Sequence, residues 1–311
     1  MKAAGRSIGA MSTGALRGEP AGAAAEPSFI LQPATFMRSV PLRRLARNPI
    51  GRIGAVLILL LVLIALAAPL LAPYDPVAQI AQRHMSPGVP YYLGSDDFGR
   101  DILSRVIFGT RISLYVGVVS VGIALAIGGT LGLLAGYFGG LPDMLLMRLV
   151  DVLFSIPSLV LAIAITGILQ PSLTNAMIAI GIVYAPTFAR VARGPVLSVK
   201  QHEYIQAART VGADHARILL RHVLPNVTAP IIVQVTLSFS TAILAEATLS
   251  FIGLGTQPPT PSWGTMLQAG RKFMEAYPWE AIFPGVAIML AVLSFNLLGD
   301  GLRDALDPRM R

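Results

Sequence analysis

Residues 53–72 of the chain read IGAVLILLLVLIALAAPLLA, twenty consecutive residues without a charged side chain. A helix of about 20 apolar residues is long enough to cross the roughly 30 Å hydrocarbon core of a bilayer. The whole 311-residue chain has the same character, since 54% of its residues are hydrophobic and only 13% are charged, compared with about 25% charged in soluble domains. This composition excludes a soluble enzyme, a disordered regulator and a simple nucleic-acid-binding protein. It predicts a protein embedded in lipid.

Five further apolar stretches follow the first, and a polar break around Pro171 predicts a tight hairpin between the third and the fourth. A pair of glycines, Gly139 and Gly140, predicts a turn after the second stretch. The longest connections are residues 73–111, predicted to lie outside, and residues 193–225, predicted to lie inside. We therefore predict an all-α polytopic membrane protein whose transmembrane domain, residues 53–311, has six helices at about residues 53–72, 112–136, 144–169, 176–192, 226–252 and 281–300.

The distribution of Lys and Arg predicts the orientation of these helices. With the N-terminus inside, 18 of the 24 Lys and Arg residues fall in inside segments, and cytoplasmic loops carry such an excess. Both termini are therefore expected to be cytoplasmic. Residues 1–35, rich in Ala, Gly and Pro, lack the apolar core of a signal peptide and are interpreted as a disordered cytoplasmic tail. Residues 36–52 are interpreted as a basic cytoplasmic segment that leads into the first span.

A search for catalytic and metal-binding motifs gives no candidate. The only lysines are Lys2, Lys200 and Lys272, and none belongs to a phosphate-binding G-x-x-x-x-G-K-[ST] loop. The stretch from His202 to Gln206 has Gln where a zinc-binding H-E-x-x-H motif needs its second histidine. The absence of cysteine excludes disulfides and thiolate-bound metals. We therefore predict no catalytic residue, no metal site and no cofactor bound by this chain.

The segment 193–225 has the pattern of two amphipathic helices separated by a glycine. Gly212 permits a reversal of the chain, because glycine adopts a positive φ at little cost. A second apolar pattern follows over residues 214–224, and Leu224-Pro225 is expected to end that helix before the fifth span. The pattern fits either a docking surface or a basic, solvated loop. The residues of the first helix that share neighbouring turns are Glu203, Gln206, Ala207 and Thr210, and Ala208 makes a small pair with Ala207.

The spacing of Gln206-Ala207-Ala208, Gly212 and Leu224-Pro225 resembles the E-A-A-x3-G-x9-I-x-L-P loop of the membrane subunits of ABC importers. Two positions depart from that pattern, since Gln206 stands at the usual acidic position and His222 at the usual isoleucine. The resemblance implies that the segment forms coupling helices that sit in a cleft of an ATPase subunit. It identifies Glu203, Gln206, Ala207, Ala208, Gly212, Leu224 and Pro225 as the candidate coupling residues.

Further motifs narrow the resemblance to permeases for dipeptides, oligopeptides and nickel, and to their C-type subunit. They are LGSDDFGRDILSR at 93–105, LSFIGLG at 249–255, PPTPSWG at 258–264, FNLLGDGLRD at 295–304 and Asp307-Pro308. The resemblance implies a type I ABC importer permease fold in a bacterial cytoplasmic membrane, and peptide import by alternating access. Import of nickel or another small solute by the same architecture, or an ATP-independent secondary transporter, is the alternative.

The same resemblance implies the partners of the chain. A homologous second permease would complete the pathway, because one six-helix unit encloses no substantial path. Two ATPase subunits would hold ATP and Mg, and an extracytoplasmic binding protein would deliver the substrate. The remaining contacts would be with membrane lipid, and none with nucleic acid.

Polar residues in the fifth span are candidates for the transport pathway. Such groups are costly against lipid, so they should face the interior of the bundle or a water-filled path. Gln234, Ser238, Thr241 and Glu246 are therefore candidate pore or gate residues. For Glu246, a hydrogen-bonded strut between helices is an equally good interpretation. In the second span, glycines at 128, 132, 136 and 140 predict close helix packing, and the alternative is that they ease helix motion.

Two smaller expectations concern the ends of the spans. Phe98, Ile102 and Val106 recur every four residues, which predicts a helix over residues 95–108 that lies at the membrane surface. This segment would either cap the spans or contact a delivering binding protein. Asp151 is expected to pair with its neighbour Arg148.

Overall fold

The computed structural model describes Leu45 and residues 48–306. The tail 1–35 and most of the segment 36–52 lie outside the described residues, as does Asp307-Pro308. The described part is almost entirely helical. Its only β-type pairing is an isolated antiparallel bridge between Ser95 and Asp101.

The helices follow one another with short connections, apart from residues 72–101 and 252–262. The α-helices are α1 (Pro49–Leu66), α2 (Ala68–Leu71), α3 (Ile102–Ala124), α4 (Thr130–Phe138), α5 (Gly140–Ser155), α6 (Ser158–Leu169), α7 (Leu173–Val199), α8 (Glu203–Thr210), α9 (His215–Arg217), α10 (Leu224–Phe251), α11 (Trp263–Gly270) and α12 (Trp279–Leu306). Two π-helical turns, Leu125–Gly129 and Ile218–Val223, join α3 to α4 and α9 to α10, so that residues 102–138 and 215–251 are each continuous.

Five helical segments of the described chain are long and apolar enough to cross a membrane: Pro49–Leu66, Ile102–Phe138, Leu173–Val199, His215–Phe251 and Trp279–Leu306. The predicted span 144–169 differs, because it consists of α5 and α6, which meet at 91°. Pro157 lies at this break, and it favours an extended conformation for the residue before it, which Ile156 adopts. The bent pair makes a sixth span when it is counted as one. The prediction of an all-α, multi-spanning protein is therefore confirmed.

The predicted surface helix over residues 95–108 is wrong. Residues 95–101 form a loop in which Gly99 has φ +74°. The helix begins only at Ile102, where the Asp101 carboxylate caps it by accepting a hydrogen bond from the Ser104 amide at 2.8 Å. Asp, Asn, Ser and Thr at this position satisfy the free amides of a helix start. Ile102–Phe138 thus begins ten residues before the predicted span at 112–136.

Leu224-Pro225 does not end a helix, as the sequence had suggested. Pro225 lacks an amide hydrogen and cannot donate to the preceding turn, but the wider π-helical turn Ile218–Val223 lies directly before it. The helix continues through Pro225 to Phe251. Prolines are tolerated in this way in membrane helices where neighbouring groups satisfy the freed carbonyls.

Close packing of the helix Ile102–Phe138 against α7 depends on the glycines of the second span. A Cβ at Gly128 would collide with the Ala185 carbonyl, and one at Gly132 with the Ala189 carbonyl. Gly136 lies against Val196 in the same way. Three of the four glycines therefore allow two helices to approach at backbone distance, as lipid-phase association favours. Gly140 has φ +56° and nothing within 4 Å of its Cβ position, so it belongs to the turn.

Two groups of loops lie at opposite ends of this bundle. The cap, which we define as residues 73–101 and 252–278, joins α2 to α3 and α10 to α12. It is tied to the bundle by Trp263, whose indole donates to the Val106 carbonyl at 3.0 Å. At the other end lie the α4–α5 turn and the segment 200–223, which we call the α8 loop.

Candidate functional site

The α8 loop is fixed to the bundle by buried apolar side chains. Ile205 on α8 and Ile218 in the following π turn are fully buried. They pack with Val196, Val223 and Tyr137 in one hydrophobic cluster. The helix is therefore held along one side, because burying apolar side chains of this size contributes about 1.5–3 kcal/mol each.

The opposite side of α8 carries the residues that the sequence had identified. Glu203, Gln206 and Ala207 are exposed, and Ala208 is half-buried toward the hydrophobic cluster. Only one of the two alanines is thus available to a partner. Leu224 and Pro225 are half-buried in the continuous helix rather than on the exposed surface.

Gly212 forms the turn after α8 with φ +85° and nothing within 4 Å of its Cβ position. Its amide donates to the Arg209 carbonyl at 3.0 Å. Two residues later, Asp214 caps α9 by accepting from the Arg217 amide at 3.2 Å. A positive φ is strained for residues other than glycine, so this turn requires glycine for conformational reasons and not for space. Val211, directly before this glycine, is 89% exposed.

Three basic residues of the α8 loop converge on the end of α4. Lys200 donates from Nζ to the Gly136 carbonyl at 2.7 Å, and cations favour the last carbonyls of a helix. The Arg209 guanidinium lies 5.6 Å from the Tyr137 ring centre. The Tyr137 hydroxyl lies 2.9 Å from His215 Nδ1, and Tyr137 is only 3% exposed. We call these five residues the α4 joint. It links the start of the α8 loop, α8 itself and the start of α9 to one helix end.

Ion pairs tie the bent pair to α7 on the same side of the molecule. Arg193 forms a two-bond pair with Asp143, at 2.6 and 2.7 Å, the fork geometry in which guanidinium–carboxylate pairs are strongest. Asp151 pairs with Arg190 at 2.8 Å. The expected Asp151–Arg148 pair is wrong, because α5 turns Asp151 toward α7 instead of along its own helix.

The four candidate pathway residues of α10 do not share one environment. Glu246 is fully buried, and its Oε1 accepts from Ser250 at 2.6 Å and from Thr256 at 3.0 Å. It therefore connects α10 to the cap within this chain. Ser238 is also buried and accepts from Gln234 at 3.0 Å. Thr241, one turn after Ser238, is in contrast exposed.

The cap contains a buried cluster of charges. Asp96 accepts from the Arg100 side chain at 2.7 Å and lies 3.5 Å from Arg105, and all three are at most 8% exposed. Burial raises the pKa of the neighbouring Asp97 carboxyl, and the Asp96 charge raises it further, while Arg100 opposes the shift. His84 Nδ1 lies 2.6 Å from Glu280, which joins the first cap segment to α12. Asp96, Arg100, Arg105 and Glu280 also line a cavity of about 410 Å³.

No group of three or more His, Cys, Asp or Glu side chains within the described residues is placed to hold a metal ion. The described residues form an exposed helix at one end of the bundle, a tightly bonded cap at the other, and polar groups between them.

Sequence analysis missed the α4 joint and the two ion pairs of α5. Tyr137 and His215 are 78 residues apart, and Asp143 and Arg193 are 50 residues apart. No local pattern marks such pairs. The only available signal was the isolated position of Lys200, the single lysine within the predicted transmembrane helices and inside loops.

Comparisons with known proteins agree with these observations. Residues 128–311 match the family of binding-protein-dependent transport system inner membrane components. Residues 35–87 match the N-terminal transmembrane domain of oligopeptide transport permease C.

Several curated relatives are similar over most of their length. The dipeptide transport system permease protein DppC of Alkalihalophilus pseudofirmus is 49% identical over 270 residues, which covers 86% of this chain and 89% of that protein. DppC of Haemophilus influenzae is 44% identical, with coverage of 90% and 98%. The glutathione transport system permease protein GsiD of Pectobacterium atrosepticum is 46% identical, with coverage of 86% and 90%.

The fold resembles that of a solved transporter. An inward-facing structure of the MetNI methionine ABC transporter matches with a TM-score of 0.55 at 19% identity, covering 66% of this chain and 98% of that one. The family match and the bacterial relatives confirm the predicted multi-pass inner-membrane location and a transport role rather than an enzymatic one. The chain belongs to the binding-protein-dependent inner membrane components, the permease subunits of ABC importers, which work with membrane-associated ATPases.

Proposed function

We propose that this permease imports short peptides, with the α8 loop facing the cytoplasm and the cap facing outward. The relatives named for dipeptide and glutathione transport support the substrate class, since glutathione is itself a small peptide. The excess of Lys and Arg in segments on the α8 side supports the orientation. A homologous second permease, two ATPase subunits and an external binding protein would complete the transporter.

The exposed side of α8 is the single observation that carries the coupling role. Glu203, Gln206 and Ala207 face away from the bundle, while Ile205 fixes the helix from behind. The small Ala207 side chain lets a partner approach the helix backbone. We infer that this surface sits in a cleft of the ATPase, and that Gly212 sets the angle between α8 and the helix that follows.

The α4 joint supplies a route from that surface to the membrane. When the ATPases close on ATP, a displacement of α8 would act on Tyr137 through Arg209 and His215, and so on the helix Ile102–Phe138. A ligand shifts a two-state element only through its different affinity for the two states. Here the element is the helix bundle, whose opening would alternate between the two sides of the membrane.

The pathway residues divide into two groups under this proposal. Thr241 lies on the exposed side of α10 and would face the second permease across the path. Glu246 and Ser238 are buried in this chain. They would hold α10 and the cap in position for that path, with Gln234 bonded to Ser238 beside them.

Cysteine crosslinking tests the docking surface. The chain has no cysteine, so single variants Ala207→Cys and Ala208→Cys can be paired with cysteines placed along the ATPase cleft. We expect Ala207→Cys to crosslink efficiently and Ala208→Cys poorly, because Ala208 faces the hydrophobic cluster. Absence of any crosslink from Ala207→Cys, in a complex that still assembles, would refute the docking proposal.

Uptake measurements test the substrate class. Cells with and without this chain are given a labelled dipeptide, with excess oligopeptide or nickel as competitor. Loss of dipeptide uptake without the chain, together with competition by peptides and not by nickel, is the expected result. Unchanged peptide uptake with impaired nickel entry would refute peptide as the substrate and leave the importer architecture in place.

A further inference from the structure

We propose that a hydroxyl-lined cavity beside the break in the bent pair binds the backbone amide groups of the transported peptide. This inference rests on the proposed function. The cavity has a volume of about 200 Å³ and lies between the start of α6, the middle of α7 and α10. Its polar groups are the side chains of Ser158, Tyr184, Thr241 and Thr248, and the rest of its described lining is apolar.

The lining residues that α10 contributes form one continuous face of that helix. Thr241, Leu244, Ala245 and Thr248 have the spacing of residues on one face of a helix, and all four line the cavity. Ser158 is the first residue of α6, and it reaches the cavity because the chain turns by 91° just before it. A straight span would have carried this residue away from α10.

The hydrogen bonds of the two threonines determine what the cavity can bind. Thr241 Oγ1 donates to the Ser238 carbonyl at 3.0 Å, and Thr248 Oγ1 donates to the Leu244 carbonyl at 2.8 Å. Their protons are therefore used within α10, while each oxygen keeps lone pairs for a donor in the cavity. Peptide N–H groups are such donors. Tyr184, which lines the same cavity, adds a phenolic hydroxyl that can both donate and accept.

Because its lining carries no charge, the cavity can bind the backbone of a peptide but cannot form ion pairs with the charged ends of the peptide. All ten lining residues carry uncharged side chains, so nothing there pairs with an ammonium or carboxylate group. A volume of 200 Å³ equals that of about six or seven water molecules. The cavity thus has room for a short segment of a peptide but not for a long one. A site of this kind suits a transporter that must pass peptides of different sequence.

The position of the cavity favours the transport pathway over the interior of the chain. Thr241 and Leu244 are exposed, and Leu244 has 52% of its surface accessible. Glu246, on the opposite side of α10, is fully buried. The cavity therefore opens from this chain toward the side where a second permease would face it.

Thiol labelling of the complete detergent-solubilised transporter tests binding directly. The variant Ala245→Cys places a thiol in the cavity, and Ile232→Cys places a control thiol on an exposed part of α10 outside it. We expect a saturating dipeptide to slow labelling of Ala245→Cys and not of Ile232→Cys. A dipeptide with an acetylated N-terminus and an amidated C-terminus should protect the Ala245→Cys thiol equally well, because the cavity binds the backbone amide groups.

Three outcomes would overturn the proposal. The first is that Ala245→Cys is not labelled while Ile232→Cys reacts, which would show that a partner side chain fills the cavity. The second is that neither dipeptide slows the labelling of Ala245→Cys. The third is that only the free dipeptide protects this thiol. The last result would show that charged termini are recognised.

Uptake in proteoliposomes separates failure of this inference from failure of the proposed function. Thr241→Val removes the hydroxyl and keeps the shape of the side chain, and Thr236→Val is the matched control, since Thr236 donates to the Ile232 carbonyl on a buried side of α10. We expect Thr241→Val combined with Tyr184→Phe to reduce dipeptide uptake about tenfold, as the loss of two ordinary hydrogen bonds allows, with ATP hydrolysis retained. Equal uptake by the double variant and Thr236→Val would refute the inference. Failure of the wild-type transporter to take up dipeptide would refute the proposed function instead.

Discussion

The cap and the α8 loop lie at opposite ends of the bundle, and they differ in how their charged residues are buried. In the cap, Asp96 pairs with Arg100 and with Arg105 of the adjoining helix α3, and all three are at most 8% exposed. In the α8 loop, Glu203, Arg209 and most other charged residues are exposed. Buried charges are tolerated only with partners, so the cap's charges fix its own structure. Those of the α8 loop remain available to another protein.

The two ends also differ in how they are attached. The cap contacts the bundle through the indole of Trp263, the Glu246 carboxylate and the His84–Glu280 pair. The α8 loop is held by one apolar cluster and the α4 joint. Segments with fewer buried contacts open at lower free-energy cost. We therefore interpret the cap as the rigid end of the permease and the α8 loop as the end that responds to a partner.

Removal of the central carboxylate of the cap should have the largest effect on stability. Asp96→Ala leaves Arg100 and Arg105 buried without their nearest paired carboxylate, and breaking a buried pair in this way costs about 3–5 kcal/mol. The unfolding temperature of the purified transporter, measured by loss of the monodisperse peak after heating, should fall clearly. The control Asp214→Ala removes an exposed helix cap from the α8 loop and should cost about 1 kcal/mol. Equal losses for the two variants would contradict the contrast between the ends.

The turn at Gly212 should affect coupling more than stability. Gly212→Val forces a β-branched residue to φ +85°, which costs roughly 1–2 kcal/mol or more in the left-handed region, although the surrounding space is open. The chain should therefore assemble while α8 changes its angle, and transport should fall at least several-fold relative to ATP hydrolysis. Gly194→Val is the control, because Gly194 also has open space but lies in α7 without a positive φ. Unchanged transport in Gly212→Val would exclude a role for this turn.

A change in the α4 joint should lower the ratio of peptide transport to ATP hydrolysis by less than Gly212→Val does. Tyr137→Phe removes the hydroxyl beside His215 and keeps the ring that packs in the cluster and lies under Arg209. One neutral hydrogen bond contributes about 0.5–1.5 kcal/mol, so peptide transported per ATP should fall by about threefold to tenfold. Tyr115→Phe, on an exposed part of α3, should leave the ratio unchanged. A Tyr137→Phe transporter with normal coupling would show that the joint only supports the fold.

The contrast between the two ends also explains how far the sequence could predict this molecule. Apolar runs longer than a bilayer crossing predicted the spans, because lipid exposure constrains composition residue by residue. The helix–glycine–helix form of the α8 loop was predicted from local periodicity and from Gly212. The motif at 93–105 was recognised, but its structure was not, since Asp96 pairs with both Arg100 and Arg105 across a loop instead of along a helix.

The errors share a physical origin. Pro157 lies inside a long uncharged run, and composition alone does not show whether a proline kinks a span or breaks it by 91°. Pro225 was expected to end a helix, but a π turn accommodates it. Asp151 pairs with Arg190 on α7 and not with Arg148 on its own helix, α5. In each case tertiary packing decided between local alternatives that have similar energies.

The smallest predicted effect concerns Asp97, a cap carboxylate whose burial opposes its charge. Its pKa is raised above the usual value, first by burial and then by Asp96, so the folded protein binds this proton more tightly than the unfolded chain does. By linkage, the cost of the Asp97 charge is present above the raised pKa and disappears as the pH falls through it. Asp97→Asn removes that cost at every pH.

The measurement for this residue is the unfolding temperature of wild type and Asp97→Asn from neutral to mildly acidic pH. We expect the variant to be slightly more stable at neutral pH, and the difference to shrink as the pH is lowered. Contributions from groups far from Asp97 are the same in both proteins and cancel, so the difference reports Asp97 together with the charges that contact it. If Asp97→Asn were less stable at neutral pH, the 3.7 Å contact of Asp97 with Arg100 would outweigh its burial. The cap would then depend on every one of its charges, and not only on Asp96.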